Sequence, residues 1–304
     1  MSIDLVVPKE VELSTLLDEL RKLSWASADV LMAYARGGEP PYGFPKSLTV
    51  EEGGDGPVSA ADMAVNELLI SGLKDNLAFK EWDILSEETS KEKTFQQDNY
   101  KKDWCWILDP LDGTKDFLQG SENYAVHIAL AYKKKPKIGI VLIPEKNELW
   151  FGIVGIGAWF ENRDGSKKQF SFSERKDISK LILVSSKNHQ QSKLNNLLST
   201  LCFGEIKKIG SVGCKVASIL RGEADVYISL SGKTSPKDWD MAAPHALIEA
   251  AGGMFSHADG KNLIYQETNY SQSGCLIASH GKSHQKICQK AMDFFSLEEP
   301  KYFV

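Results

Sequence analysis

The chain has few cysteines, and none spaced for a metal or redox site. Cys105, Cys202, Cys214, Cys275 and Cys288 are an odd number with no C-x-x-C pair. That argues against a disulfide framework and fits small buried hydrophobes in a reducing compartment. A basic excess is also missing: 36 Lys and Arg face 41 Asp and Glu, a formal charge of −5. Duplex binding draws most of its affinity from cations that neutralise phosphates, so nucleic acid is not an expected partner. A small anionic ligand stays open, because a few local cations or a metal can hold it against the global sign. No uninterrupted run reaches the roughly 18 apolar residues of a membrane helix. The opening MSIDLVVPKE has no basic segment followed by a long apolar one, so neither a signal peptide nor a stable membrane span is expected, and a cytoplasmic location is. Internal repeats and low-complexity stretches are absent too. With 42% hydrophobic and 25% charged residues, disorder, collagen and coiled coil are excluded as the main body.

What is present is enough chain, 304 residues, for one large domain or two. Leu13, Leu16, Leu17, Leu20, Leu23, Val30, Leu31 and Tyr34 recur at three- and four-residue steps, predicting a long helix stopped by Gly37-Gly38. After a Pro- and Gly-rich loop, Asp62 opens a second helical pattern, and Trp82 to Leu85 reads as a short strand. Lys91 to Asp103 is polar enough for an exposed excursion, and Trp104 to Leu108 is a buried strand ending at Asp109. Runs from Asn123 to Glu161, broken by KKKPK and PEKN, predict an antiparallel meander. From about Lys176 strand alternates with helix, the α/β signature. We therefore expect an α+β region over 1–176 and an α/β region over 177–304. Gly152, Gly155 and Gly157 lack a strand-turn-helix context and are expected as bulges or turns rather than a dinucleotide fingerprint. His127, His189, His245, His257, His280 and His284 show no zinc-like spacing.

The informative stretch is Asp109-Pro110-Leu111-Asp112-Gly113-Thr114. Two carboxylates leave the end of an apolar strand, with a proline between them that fixes φ and a glycine after them that frees the turn. Such a turn can point both acids and the Leu111 carbonyl at one place, a hard-oxygen set that suits Mg²⁺. The first amides of a helix starting at Thr114 would face a bound anion. The plain alternative is a turn with an Asp helix cap. Spacing rules out the D-x-D-G-T nucleophile of haloacid dehalogenase phosphatases, since Pro110 and Leu111 separate the two acids. Asp62, Glu87 and Asp240 also sit at the edges of apolar elements, where each alone would serve as a cap or a surface charge.

Taken together, PVSAAD (57–62), SEE (86–88), DPLDGT (109–114) and WDMAA (239–243), then the AGG of 251–253, resemble in order the motifs of the lithium-sensitive, magnesium-dependent inositol monophosphatase superfamily. Within it, DGTKDF (112–117) and GSVGCKVASILRGEADVY (210–227) look most like the 3′(2′),5′-bisphosphate nucleotidases. The resemblance implies a layered αβαβα sandwich of the inositol monophosphatase and fructose-1,6-bisphosphatase type. It assigns Glu87, Asp109 and the Leu111 carbonyl to one metal, and Asp109, Asp112 and Asp240 to a second. Asp62 with Thr114 would orient and deprotonate water, and the Gly113 and Thr114 amides would hold phosphate. Ser211, Lys215 and, less directly, His189 would meet the rest of the substrate. Lys233 stands where inositol monophosphatases carry a sugar-binding glutamate, which suits an anion better than a hydroxyl face. The implied activity is Mg²⁺-dependent removal, with two or three ions, of the 3′-phosphate from 3′-phosphoadenosine 5′-phosphate, in sulfur metabolism, by a monomer or homodimer. An inositol-phosphate or sugar-bisphosphate phosphatase with the same site, and a non-catalytic nucleotide-binding protein, are the alternatives. The family lysine before the first motif is missing, replaced by Glu51-Glu52 and then Gly53-Gly54-Asp55-Gly56.

Overall fold

A computed structural model describes residues 7–8, 11–53, 56–75, 82–90, 102–187, 192–231, 235–267 and 269–298. The amphipathic repeat gives helix α1 over Leu13–Ala35, and α2 follows over Ala60–Asp75, entered by a hairpin of β1 (Val50–Gly53) and β2 (Gly56–Ser59). A seven-stranded sheet then runs β3 (Asp83–Ser86), β4 (Trp104–Asp112), β5 (Ala125–Tyr132), β6 (Lys135–Ile143), β7 (Glu148–Ile153), β8 (Gly157–Glu161) and β9 (Lys167–Lys168) in spatial order. Only β3 and β4 pair in parallel; the rest is the expected meander. Short helices α3 (Glu87–Ser90) and α4 (Thr114–Leu118) leave the ends of β3 and β4. Lys133 and Lys134 carry the β5–β6 turn with φ of 47° and 64°, the geometry of a tight hairpin turn.

The second sheet contains β10 (Ile182–Ser185), β11 (Glu205–Lys208), β12 (Val226–Leu230), β13 (Met254–His257) and β14 (Cys275–Ser279), ordered β11-β10-β12-β14-β13. Helices α5 (Ser192–Leu201), α6 (Val212–Leu220), α7 (Asp238–Ala250) and α8 (His284–Glu298) connect or cover it. Strand and helix alternate here as the α/β signature implies; β10 pairs in parallel with β11 and β12, whereas β14 runs antiparallel to both β12 and β13. The strand at Met254–His257 was hidden because four residues directly after a glycine turn are too few to show a period.

Alternating side chains sort the core into layers. Trp106, Leu108, Ile128 and Leu142 face α1 and α2, whereas Cys105, Ile107, Ala129 and Val141 face α6 and α7. The second sheet turns Tyr227 and Ala278 toward those same helices and Val226, Ile228 and Ile277 toward α5 and α8. The result is α-β-α-β-α. Sheets covered on both faces explain why β4, β5 and β6 read as nearly continuous apolar runs. Gly155 lies in the β7–β8 turn with φ of 86°, and Gly157 opens β8 with φ of 145°. Gly152 differs: a Cβ there would lie 2.5 Å from Leu247 Cα, and one on neighbouring Gly139 would lie 2.3 Å from the Ala243 carbonyl oxygen. Glycine lets α7 lie directly on the sheet. Among the described residues no helix is long and apolar enough to cross a membrane.

Candidate metal centre

The site assembles where β3 and β4 end and α2, α6 and α7 begin. In β4, Asp109 pairs with His127 and Asp112 with Ala125 of β5, so β4 spends one residue more than its partner. This bulge re-aims the strand end and turns both acids inward. Gly113 follows with φ of 97°, and a Cβ on it would meet the Asn123 carbonyl oxygen at 2.9 Å, so no other residue fits without movement. At the start of α2, Asp62 accepts hydrogen bonds from the Ser59 amide at 2.8 Å and its hydroxyl at 2.5 Å, and the Ser59 hydroxyl oxygen accepts from the Ala61 amide at 3.3 Å, which caps the first turn. At the start of α7, Asp240 accepts from the Lys237 amide at 2.6 Å. Both acids are caps and site residues at once. Ser86 ties the end of β3 to α2 through Asn66 at 2.6 Å, immediately before Glu87.

Carboxylate oxygens of Asp109, Asp112 and Asp240 lie within 4.8 Å of one another. Glu87 lies near enough to add its charge to Asp109, Asp240 and Asp62. Burial, and then the charges of Glu87, Asp112 and Asp240, push the Asp109 carboxyl well above the usual carboxylate range. Burial, and then Asp112 and Glu87, do the same to Asp240. Asp112 goes the other way. Burial would raise it, but His127, Lys215 and the Ser211 hydroxyl hold it down at about 2.

Two like charges about 4 Å apart repel by roughly 4 kcal/mol at an effective dielectric near 20. The protein supplies few donors to offset this. Asp109 Oδ1 takes the Leu111 amide at 3.0 Å, while its Oδ2 is buried without a hydrogen-bond partner among the described residues. Asp112 Oδ2 is fully engaged, by Ser211 Oγ at 2.6 Å and the amides of Val212 at 2.5 Å and Gly213 at 3.2 Å. A hard divalent cation completes such an all-oxygen set, and the orphaned Asp109 oxygen is where its absence would be most costly. The residues fit the ion.

Beside the acids, Thr114 Oγ1 lies 3.0 Å from Asp62 Oδ1 and 3.1 Å from the Leu111 carbonyl. Its single proton serves these acceptors, so its remaining lone pair is open to a donor such as water. Burial raises the Asp62 carboxyl to about 6 against the donors from Ser59 and Thr114. Lys215 is 3% exposed, its Nζ 5.2 Å from the centre of the Tyr227 ring. Burial lowers its pKa, while Asp112, Asp116 and Asp240 raise it. Ser211, expected to meet substrate, gives its hydroxyl to Asp112. His189 and Lys233 lie outside the described residues. Sequence reading missed His127, whose Nε2 stands 3.2 Å from Asp112 Oδ2, and the ion pair of Lys187 with buried Asp116 at 3.1 Å. Neither partnership leaves a local sequence signal, since each joins distant segments.

Sheet order, helix layers and this acid cluster define a fold shared with known phosphatases. A sequence profile of the inositol monophosphatase family matches residues 12–294, and the chain belongs to that family. It is 30% identical over 250 residues to the 3′(2′),5′-bisphosphate nucleotidase CysQ of Escherichia coli strain K12, covering 82% of this chain and 94% of that one. The Nus factor SuhB of Vibrio cholerae is 27% identical over 255 residues, 80% of this chain and 85% of that one. Among solved structures, a Thermotoga maritima IMPase superposes with a TM-score of 0.73 at 22% identity, covering 94% of this chain and 100% of that one.

Proposed function

We propose that the chain is a Mg²⁺-dependent 3′(2′),5′-bisphosphate nucleotidase that converts 3′-phosphoadenosine 5′-phosphate to AMP and phosphate. The observation that carries the chemistry is the convergence of Asp109, Asp112 and Asp240 beside the hydrogen-bonded Asp62–Thr114 pair. The substrate rests on the CysQ relatives. Lys215 is consistent with it, as a buried cation beside the acids that suits a second anionic group better than a neutral ring face.

Glu87, Asp109, Asp112, Asp240 and the Leu111 carbonyl would hold two or three Mg²⁺ ions, which when bound supply an activated water and charge to stabilise the leaving oxygen. The chain's own residues then act on the water and the phosphate. Thr114 Oγ1, its proton directed to Asp62 or Leu111, accepts a hydrogen bond from water and orients it; Asp62 takes up the proton through that hydroxyl. Amides of Gly113 and Thr114 hold the phosphate oxygens. Lys215 would meet the second phosphate, and the resemblance extends contacts with the rest of the substrate to Ser211, His189 and Lys233. Lithium inhibition follows if a site built for small hard cations admits Li⁺.

Phosphate release from 3′-phosphoadenosine 5′-phosphate and from inositol 1-phosphate, each with Mg²⁺, tests the reading. We expect the nucleotide to be preferred. Asp62→Asn should slow the reaction by about 10²- to 10⁴-fold, the usual worth of a positioned base, with little loss of stability because Asn still caps α2. Equal rates for wild type and variant would remove the base, and preference for inositol 1-phosphate would move the assignment to the inositol phosphatases.

A further inference from the structure

Between Ala125 and Ala131, β5 carries one ionisable side chain, His127, in a run otherwise built from Ala, Val, Ile and Leu. It is fully buried. Burying an imidazole in an apolar strand is unfavourable unless its nitrogens find partners; Nδ1 has a hydrogen-bond partner, whereas Nε2 stands at ion-pair distance from a carboxylate without hydrogen-bond geometry. Nε2 lies 3.2 Å from Asp112 Oδ2, and Nδ1 lies 3.3 Å from the backbone carbonyl of Trp239, the residue before Asp240. One ring therefore spans the gap between a ligand of the β4 turn and the first turn of α7. It has no room to do anything else: a Cβ on Gly213 would stand 2.4 Å from Nε2, so α6 closes directly over it. Opposite His127 across the strand pair lies Asp109.

We infer that His127 is a positioning residue that fixes Asp112 and the start of α7 relative to each other and so sets the spacing of the metal ligands. Among the described residues, Asp112 receives its other donors from the start of α6, and Asp240 receives its cap from Lys237 within its own turn. His127 is the side chain that joins these two otherwise separate attachments. Groups that orient metal-bound carboxylates and imidazoles are typically worth about 10- to 100-fold in metal affinity. His127 touches neither substrate nor ion; it acts through Asp112 and the α7 backbone. This rests on the metal-centre reading above.

The test is Mn²⁺ binding by calorimetry to the full chain without substrate, for wild type, His127→Phe and His127→Asn, with thermal midpoints recorded alongside. His127→Phe keeps the ring and removes both nitrogens, and should weaken Mn²⁺ about 10- to 100-fold at unchanged stoichiometry. Asn, which retains a polar amide, should recover part of the loss. Steady-state kinetics should show the Mn²⁺ half-saturation rising for His127→Phe while the substrate KM at saturating metal stays near the wild-type value. A lowered midpoint with wild-type Mn²⁺ affinity would reduce His127 to a packing residue and overturn the inference. Should Phe not fold, the smaller His127→Leu reads the same affinity ratio. Wild-type protein that binds no Mn²⁺ would overturn the metal centre itself, an outcome distinct from equal binding by wild type and variant.

Discussion

Asp109 shows at the scale of one residue why this site is unstable without a cation. Its carboxyl is fully buried, its Oδ2 has no donor among the described residues, and burial with the neighbouring acids raises its pKa well above the ordinary value. A carboxyl whose folded-state pKa is raised opposes folding at neutral pH, because ionising it is easier in the unfolded chain. Asp109→Asn should therefore raise the thermal midpoint of metal-free protein, while phosphate release falls to background. The Asn side chain still accepts from the Leu111 amide, so the turn should hold. A lowered midpoint in chelator-treated protein would show that the charge is not a burden. Most of this residue-scale account was legible in the sequence, because DPLDGT packs two acids, a proline and a glycine into six positions. The Ser59–Asp62 contact was half visible: Asp62 read as a cap or a base, and it is placed to be both.

At the scale of elements, α7 matters most. It carries Asp240 at its first turn and lies on the first sheet through two glycines. Gly152→Ala would drive a methyl to 2.5 Å from Leu247 Cα, a backbone atom, so the helix itself must shift. Overpacking of this kind costs about 1–3 kcal/mol, and the shift should carry Asp240 away from Asp109 and Asp112. We expect a lower urea midpoint together with weaker Mg²⁺ activation; unchanged values for both would show that α7 is free to slide. Nothing in the sequence marked this contact. A glycine in a strand reads as a bulge or a turn, and the close approach depends on a helix about a hundred residues later. The antiparallel β14 and the short β13 were hidden for a related reason, since pairing direction is a property of two segments and not of either one.

Across the whole molecule, the layers bury groups that acid will expose. His245, hydrogen-bonded to the Tyr265 hydroxyl at 2.9 Å, and His284, held between Ser256 and Ser279 at 2.8 and 2.9 Å, both have pKa values pushed by burial down to about 4. Unfolded, each would titrate near 6.5. For each histidine the unfolded state thus binds more protons between these values, and its own contribution to stability falls as pH drops from about 6.5 toward 4. The raised carboxyls of Asp62, Asp109, Asp238 and Asp240 act in the opposite direction, so the histidine effect is read as a difference between proteins. The denaturation midpoint of His284→Gln relative to wild type should rise as pH falls from about 6.5 to about 4.5, and a difference that stays constant over that window would contradict it.

The claim on which the rest depends is that acids from three distant segments hold divalent cations in one cleft. Crystals of the full chain grown with Mn²⁺, with anomalous difference maps collected at the manganese edge, test it most directly. The account predicts peaks bonded to oxygens of Asp109, Asp112 and Asp240, with Glu87 on a neighbouring ion. Manganese found only elsewhere, or nowhere, while those carboxylates stay together would contradict it.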